Sequence, residues 1–338
     1  MDWHNHFENV FFDTWQKAGL PHHQEYVNEY IETREHGDFK TNWIKNSSGI
    51  SSDLHPAQLN SVYGFGVTTG KIFAEMFGSS DDIAENTADW CGRFNLGISL
   101  FDYICDEMDG LDEVTSLKVF QPFINKSYSK TSTLNPAQEL LSNLTGSVLL
   151  DLEKTVEKKE GYQKTDVLFK VLKQLFEAQN FLSKEALSDH ADLKKVKEAL
   201  YLKSAEPFRV MAEYTARIAH SNDPILLKNA RSIGKALGYC YWLIDDAKDV
   251  WIDLEEGQWN LFLQLAASED PLIFTKKRDA FMDKHLTSIW EQSKHVERIS
   301  SEIVKRLVHA TRKLELSKKV EQHTLGLIAA SLWQWFRY

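Results

Sequence analysis

At 338 residues, 43% of them hydrophobic, the chain is long enough to bury a large core, and its formal net charge of −10 argues against a general nucleic-acid or anionic-membrane surface. Only 7 Pro and 16 Gly suit long helices better than a turn-rich β architecture, and no linker-like change of composition divides the chain. An anionic substrate would need a local inversion of this acidic balance, which bound divalent cations provide.

The first residues, Met1-Asp-Trp-His-Asn-His, show no basic region followed by an apolar run, so no secretory signal is expected and the cytoplasm is the default location. From there helical periodicity dominates. It is broken by cap and turn residues at Asn46 to Asp53, Gly78 to Asp82, Ser129 to Pro136, Lys159 to Gly161, Ser221 to Pro224 and Ser268 to Pro271. Most intervening segments exceed the usual helix of about a dozen residues. Cys91, Cys105 and Cys240 are an odd set without metal-ligand spacing, which disfavours a disulfide framework or a structural zinc site. Near the end, the apolar stretch Leu325 to Phe336 is too short to span a bilayer. The expected fold class is all-α: a large helical bundle forming a single domain over residues 1–338.

Two acidic segments carry the chemistry. In Leu100-Phe-Asp-Tyr-Ile-Cys-Asp-Glu-Met-Asp-Gly, a helix would present Asp102, Asp106 and Asp109 on one face, amid Phe101, Ile104, Cys105 and Met108. Taken alone, the segment fits a solvated acidic face as well as a metal site. The second, Gly238-Tyr-Cys-Tyr-Trp-Leu-Ile-Asp-Asp-Ala-Lys-Asp-Val-Trp-Ile-Asp, spaces Asp245, Asp249 and Asp253 by four residues, with Asp246 beside the first. Carboxylates stacked in this way repel one another by a few tenths of a kcal/mol per pair, a cost that cations between them would remove. Two such helices facing each other would offer hard oxygen ligands to magnesium, which typically completes its octahedron with waters and substrate phosphates.

These residues resemble the isoprenoid synthase superfamily, and within it the trans-polyprenyl diphosphate synthases, over roughly residues 60–265. That family carries two DDxxD motifs on facing helices. Phe101-Asp-Tyr-Ile-Cys-Asp-Glu-Met-Asp is similar to the first, with Tyr103 in place of its second Asp, and Leu243-Ile-Asp-Asp-Ala-Lys-Asp matches the second without loss. Glu177-Ala-Gln179, Lys203-Ser204 and Asp253-Leu-Glu-Glu-Gly257 resemble the family's Gly-Gln, Lys-Thr and Asp-Leu-x-x-Gly elements in the same order. The resemblance implies magnesium, three ions by the family pattern, with Asp102, Asp106, Asp109, Asp245, Asp246 and Asp249 as ligands. It further implies a prenyl diphosphate substrate contacted by Lys203 and Gln179, and it is compatible with a homodimer.

The departures point away from ordinary chain elongation. The family's early Gly-Gly-Lys-Arg element and its Arg-Arg pair after the first motif, which hold isopentenyl diphosphate, have no counterpart in Asn46 to His55 or in Gly110 to Lys118. Tyr241-Trp242 stands where the family has Phe-Gln. The expected function is therefore a class I terpene synthase acting on one linear prenyl diphosphate, farnesyl or geranylgeranyl rather than geranyl. A prenyltransferase with another acceptor and a non-catalytic subunit of a prenyl synthase are the alternatives. Phe101, Tyr103, Tyr241 and Trp242 are candidates to line a dry pocket for the allylic cation, with core packing as the competing role for each ring. Arg337 and Tyr338, at the end of Trp-Gln-Trp-Phe-Arg-Tyr, are similar to the Arg-Tyr pair near the end of many bacterial class I terpene synthases, which suits diphosphate recognition; a frayed terminus is the alternative. Arg209 is one further cation expected near the diphosphate.

Overall fold

Helices are the only regular elements among the described residues of the computed structural model, which are 3–35, 56–107, 174, 178, 193–220, 223–270, 272–273 and 280–337, with backbone alone at 35, 56–59, 100–107, 193–195, 197, 280–281, 283 and 293. In chain order they are α1 (Trp3–Lys17), a 3-10 turn (His23–Glu25), α2 (Val27–Glu35), α3 (Pro56–Met76), α4 (Asp81–Glu107), α5 (Leu193–Leu200), a π-helical turn (Tyr201–Ala205), α6 (Glu206–His220), α7 (Pro224–Lys248), α8 (Val250–Glu256), α9 (Leu261–Ala267), α10 (Ala280–Ser293), α11 (His295–Arg312) and α12 (Lys318–Arg337). Three of the expected breaks fall at helix boundaries: Gly78 to Asp82 between α3 and α4, Ser221 to Pro224 before α7, and Ser268 to Pro271 after α9. The breaks at 46–53, 129–136 and 159–161 lie outside the described residues. No helix among the described residues is long and apolar enough to cross a membrane.

The chain divides into two compact units, one of residues 1–28, 174–213 and 223–338, the other of residues 29–173 and 214–222. In the second unit α3 packs along α4 through small residues. A Cβ on Gly66 would lie 2.5 Å from the Cys91 carbonyl oxygen, and one on Gly92 would lie 2.7 Å from Val67. Tyr63 and Arg93 both bond the carboxylate of Asp89, the tyrosine donating at 2.6 Å and the guanidinium at 2.9 Å, so the two helices are also tied by a polar contact.

In the first unit α1 supplies an aromatic face to the bundle. Trp3, Phe7, Phe11 and Trp15 recur at helical spacing and are almost wholly buried, and α1 packs against α10 and α11. Trp3 meets Trp290 at 3.8 Å and Phe262 at 4.9 Å between ring centroids. Burying side chains of this size contributes about 1.5–3 kcal/mol each, so this cluster is a principal source of the unit's stability.

α7 runs through the same unit and carries the second acidic segment. Asp223 caps it by accepting from the N–H groups of Ile225 and Leu226, with Pro224 in the first turn. On its flank, Gly234 and Gly238 let neighbouring backbone approach where no side chain would fit. A Cβ at Gly234 would lie 2.4 Å from the Phe208 carbonyl oxygen, and one at Gly238 would lie 2.4 Å from the Ala205 Cα. The π-helical turn Tyr201–Ala205 is thereby seated directly against α7, and π-bulges of this kind often occur at functional sites.

Candidate active site

The second acidic segment is not one continuous helix. α7 ends at Lys248, Asp249 takes φ −93° and ψ 6°, and α8 begins at Val250. At the bend the carbonyl of Ala247 accepts the Trp3 indole N–H at 2.7 Å, and His4 Nε2 lies 3.1 Å from the carbonyl oxygen of Lys248. α1 thus satisfies carbonyls at the C-terminal end of α7, where helices leave acceptors unpaired. The one-turn spacing survives the bend, since Asp249 N–H donates to the Asp245 carbonyl at 2.9 Å and Asp253 N–H donates to the Asp249 carbonyl at 2.8 Å. α8 then closes on Gly257, whose φ of 69° is the left-handed conformation that favours glycine.

Asp245, Asp249 and Asp253 are electrostatically coupled. Burial first, then Asp245 and Asp253, push the Asp249 carboxyl up to about 7, against the pull of Lys248 and Lys203. Burial likewise pushes Asp253 up to about 6, with Asp245 adding to the shift while the Asn260 hydrogen bond and Lys203 oppose it. Lys203, from the π-helical turn, is the cation common to this group.

Asp246, expected among the metal ligands, makes its contact with the start of α9. It is buried, its Oδ2 accepts the Leu261 N–H at 2.8 Å, and burial pushes its carboxyl well above the usual range. Neighbours on a helix point about 100° apart, so Asp246 faces the start of α9 while Asp245 follows another face. Asn260 completes this joint. Fully buried, it donates to the Asp246 carbonyl at 2.6 Å and the Asp253 carboxylate at 2.7 Å, and its own Oδ1 accepts from Phe262 and Leu263 as the N-cap of α9.

Arg209 and Arg337 are both engaged elsewhere in the first unit. Arg209 bridges Glu206 and Glu213, each at 2.5 Å, and Glu213 also holds Arg231 at 2.6 Å. Arg337 pairs with Glu8 of α1 at 2.5 Å, and Trp333 donates to the same carboxylate at 2.8 Å. α12 does reach the acidic segment, but through Trp335, whose indole N–H donates to Asp245 Oδ1 at 3.0 Å. Residues 335 and 337 point to nearly opposite sides of a helix.

Of the four aromatic candidates, Tyr241 stacks on Phe208 at 4.8 Å, and its hydroxyl bonds Ser331 Oγ. Trp242 is partly buried against a cluster of Ala178, Val196, Ala199, Leu200 and Trp259. Positions 101–103 and 106 fall in the last turns of α4, without described side chains, and Asp109, Gln179 and Tyr338 lie outside the described residues. Sequence reasoning missed Trp335, for which no local signal exists. It also missed Asn260, which the N-cap pattern before Leu-Phe-Leu would have marked.

Among the described residues, no three His, Cys, Asp or Glu side chains form a ready metal cage. The donor set nonetheless fits magnesium, which is usually held by one or two carboxylates and completed by waters and phosphates. Burial, and after it the negative charge of Asp245, raises the carboxyls of Asp249 and Asp253, and a cation bound beside them would offset both effects.

No protein-family model matches the chain, and no curated protein matches it. Solved structures do. A polyprenyl synthase from Caulobacter crescentus CB15, complexed with calcium and isoprenyl diphosphate, is 14% identical with a TM-score of 0.57, over 90% of this chain and 97% of that one. A geranylgeranyl pyrophosphate synthase from Lactobacillus brevis ATCC 367 is 15% identical with a TM-score of 0.57, over 95% and 98%. A medium/long-chain-length prenyl pyrophosphate synthase from Arabidopsis is 14% identical with a TM-score of 0.58, over 85% and 92%. At such identities the likeness establishes the fold: this chain has the all-α fold of the trans-polyprenyl diphosphate synthases.

Proposed function

We propose that this protein ionises a linear prenyl diphosphate with the help of magnesium, and that it does so as a class I terpene synthase. The observation that carries the ionisation reading is the trio Asp245, Asp249 and Asp253 held beside Lys203, in which burial, with Asp245 adding to it, raises the carboxyls of Asp249 and Asp253. Magnesium bound there would supply Lewis-acid stabilisation of the departing diphosphate. The Lys203 ammonium adds a charge-assisted donor for phosphate oxygens. Asn260 fixes the Asp253 carboxylate, and the Trp3 and His4 contacts hold the bend that separates Asp245 from Asp253. By the resemblance of their segment to the family's first motif, Asp102, Asp106 and Asp109 are further ligands in this reading.

The cyclase assignment rests on the missing basic elements: residues 46–55 and 110–118 lack the cations with which the resembled family holds a second diphosphate, and one substrate suffices for cyclisation. A second reading, transfer of the prenyl group to an acceptor, is favoured by the similar solved structures, whose names are those of polyprenyl and geranylgeranyl synthases. That those chains are covered almost end to end supports treating residues 1–338 as one catalytic domain.

The test is incubation of the purified chain with geranyl, farnesyl or geranylgeranyl diphosphate and magnesium, with and without isopentenyl diphosphate, followed by mass spectrometry. Cyclic hydrocarbon or alcohol formed from farnesyl or geranylgeranyl diphosphate alone is the expected result. A linear product one isoprene unit longer overturns the cyclase assignment, and no diphosphate release from any substrate overturns the ionisation reading.

A further inference from the structure

The last turns of α7 and α12 are joined by two polar contacts in register. Tyr241 meets Ser331 and Asp245 meets Trp335, so residues one turn apart on α7 face residues one turn apart on α12. The constant offset means that the two helices run in the same direction here. The rungs are also packed against each other, since the Tyr241 and Trp335 rings meet edge to face at 6.0 Å and 89°. A third tie closes the end of the ladder: Lys248 Nζ donates to the Trp335 carbonyl at 3.3 Å and lies 5.9 Å from the centre of its ring. Trp335 remains 38% exposed, so burial alone does not account for an indole at this position.

We propose that Trp335 is a positioning residue for the metal site, its indole N–H fixing the rotation of the Asp245 carboxylate so that the acidic trio meets a divalent cation in one geometry. This rests on the reading of Asp245 as a magnesium ligand. A hydrogen bond to one carboxylate oxygen restricts the side chain to one orientation about its terminal torsion, which is otherwise soft. Partners that orient a ligand in this way typically change metal affinity by about 10–100-fold when removed. The Tyr241–Ser331 rung and the Lys248 contact hold the indole where its N–H can do this, so the effect is transmitted through a hydrogen bond and not through the bulk of the ring.

Two variants separate those contributions. Trp335→Phe keeps an aromatic ring beside Tyr241 and Lys248 but has no N–H. Trp335→His keeps a ring N–H at comparable reach with less ring surface. Binding of Mn²⁺ in the presence of inorganic diphosphate is measured by electron paramagnetic resonance and calorimetry, alongside the metal-free melting temperature. The expected result is a loss of Mn²⁺ affinity of about 10-fold or more in Trp335→Phe, with most of it recovered in Trp335→His and the metal-free melting temperatures nearly equal. Wild-type affinity in Trp335→Phe overturns the positioning role and leaves the ionisation reading standing. Equal losses in both variants also overturn it, since the ring and not its N–H would then matter. If the unaltered protein binds no Mn²⁺ with diphosphate, the metal site itself fails and the role of Trp335 falls with it.

Discussion

Replacing Gly238 by alanine should destabilise the protein even though the same change in an exposed helix would stabilise it. In a helix interior alanine is favoured over glycine by about 1 kcal/mol. At Gly238, however, the new Cβ would lie 2.4 Å from the Ala205 Cα, 2.9 Å from the Ser204 carbonyl oxygen and 3.0 Å from the Ala205 Cβ. Two of these neighbours are backbone atoms, so no side-chain rotation relieves the clash. The π-helical turn would have to retreat by about 1 Å to reach ordinary contact. Overpacking typically costs about 1–3 kcal/mol, and a rigid backbone obstacle belongs at the upper end. Against the gain in propensity, the net loss is about 2 kcal/mol, or roughly a 30-fold smaller folding equilibrium constant. In a chain this long that lowers the melting temperature by roughly 3 °C. Because Lys203 rides on the displaced turn, affinity for inorganic diphosphate with Mg²⁺ should fall as well. Circular dichroism melts and urea titrations measure the first effect, and calorimetry measures the second. A melting temperature equal to or above the parent's would refute the close-packing argument.

Asp249 makes the metal-free protein sensitive to pH. Its folded-state value of about 7 lies above the ordinary carboxylate value of about 4, so its contribution to stability is full below about pH 4 and is lost as pH rises to about 7. Asp249→Asn removes that titration, so with chelator present its melting temperature should overtake the parent's progressively across this window; a pH-independent difference would count against the coupling. Asn260→Ala removes the cap of α9, worth about 1 kcal/mol, and also strands the Asp246 carbonyl and the Asp253 carboxylate. The expected loss is about 3 kcal/mol by urea denaturation, and a loss no larger than the cap alone would show that water replaces the amide.

Much of the fold could be read from residue order. The spacing of Trp3, Phe7, Phe11 and Trp15 marks one buried helix face, and Asp223-Pro224 marks the start of α7, because both signals are local to a turn or two of chain. The π-helical geometry around Lys203 was not legible, although its place in the Tyr-Leu-Lys-Ser-Ala segment was. It depends on what Gly238 permits on a different helix.

By itself the sequence determined that this is a helical protein, and the spacing of its aspartates identified where negative charge accumulates. It could not tell which carboxylates remain available to a cation. Asp245 and Asp246 are adjacent and chemically identical, yet one meets an indole from α12 while the other is buried against the N-terminus of α9. Likewise Arg337 and Trp335 are two residues apart, and the arginine turns to Glu8 while the tryptophan turns to the acidic segment. A helix sends consecutive side chains in different directions, and what each one meets is set by the packing of elements far away in the chain. That choice belongs to the tertiary structure alone.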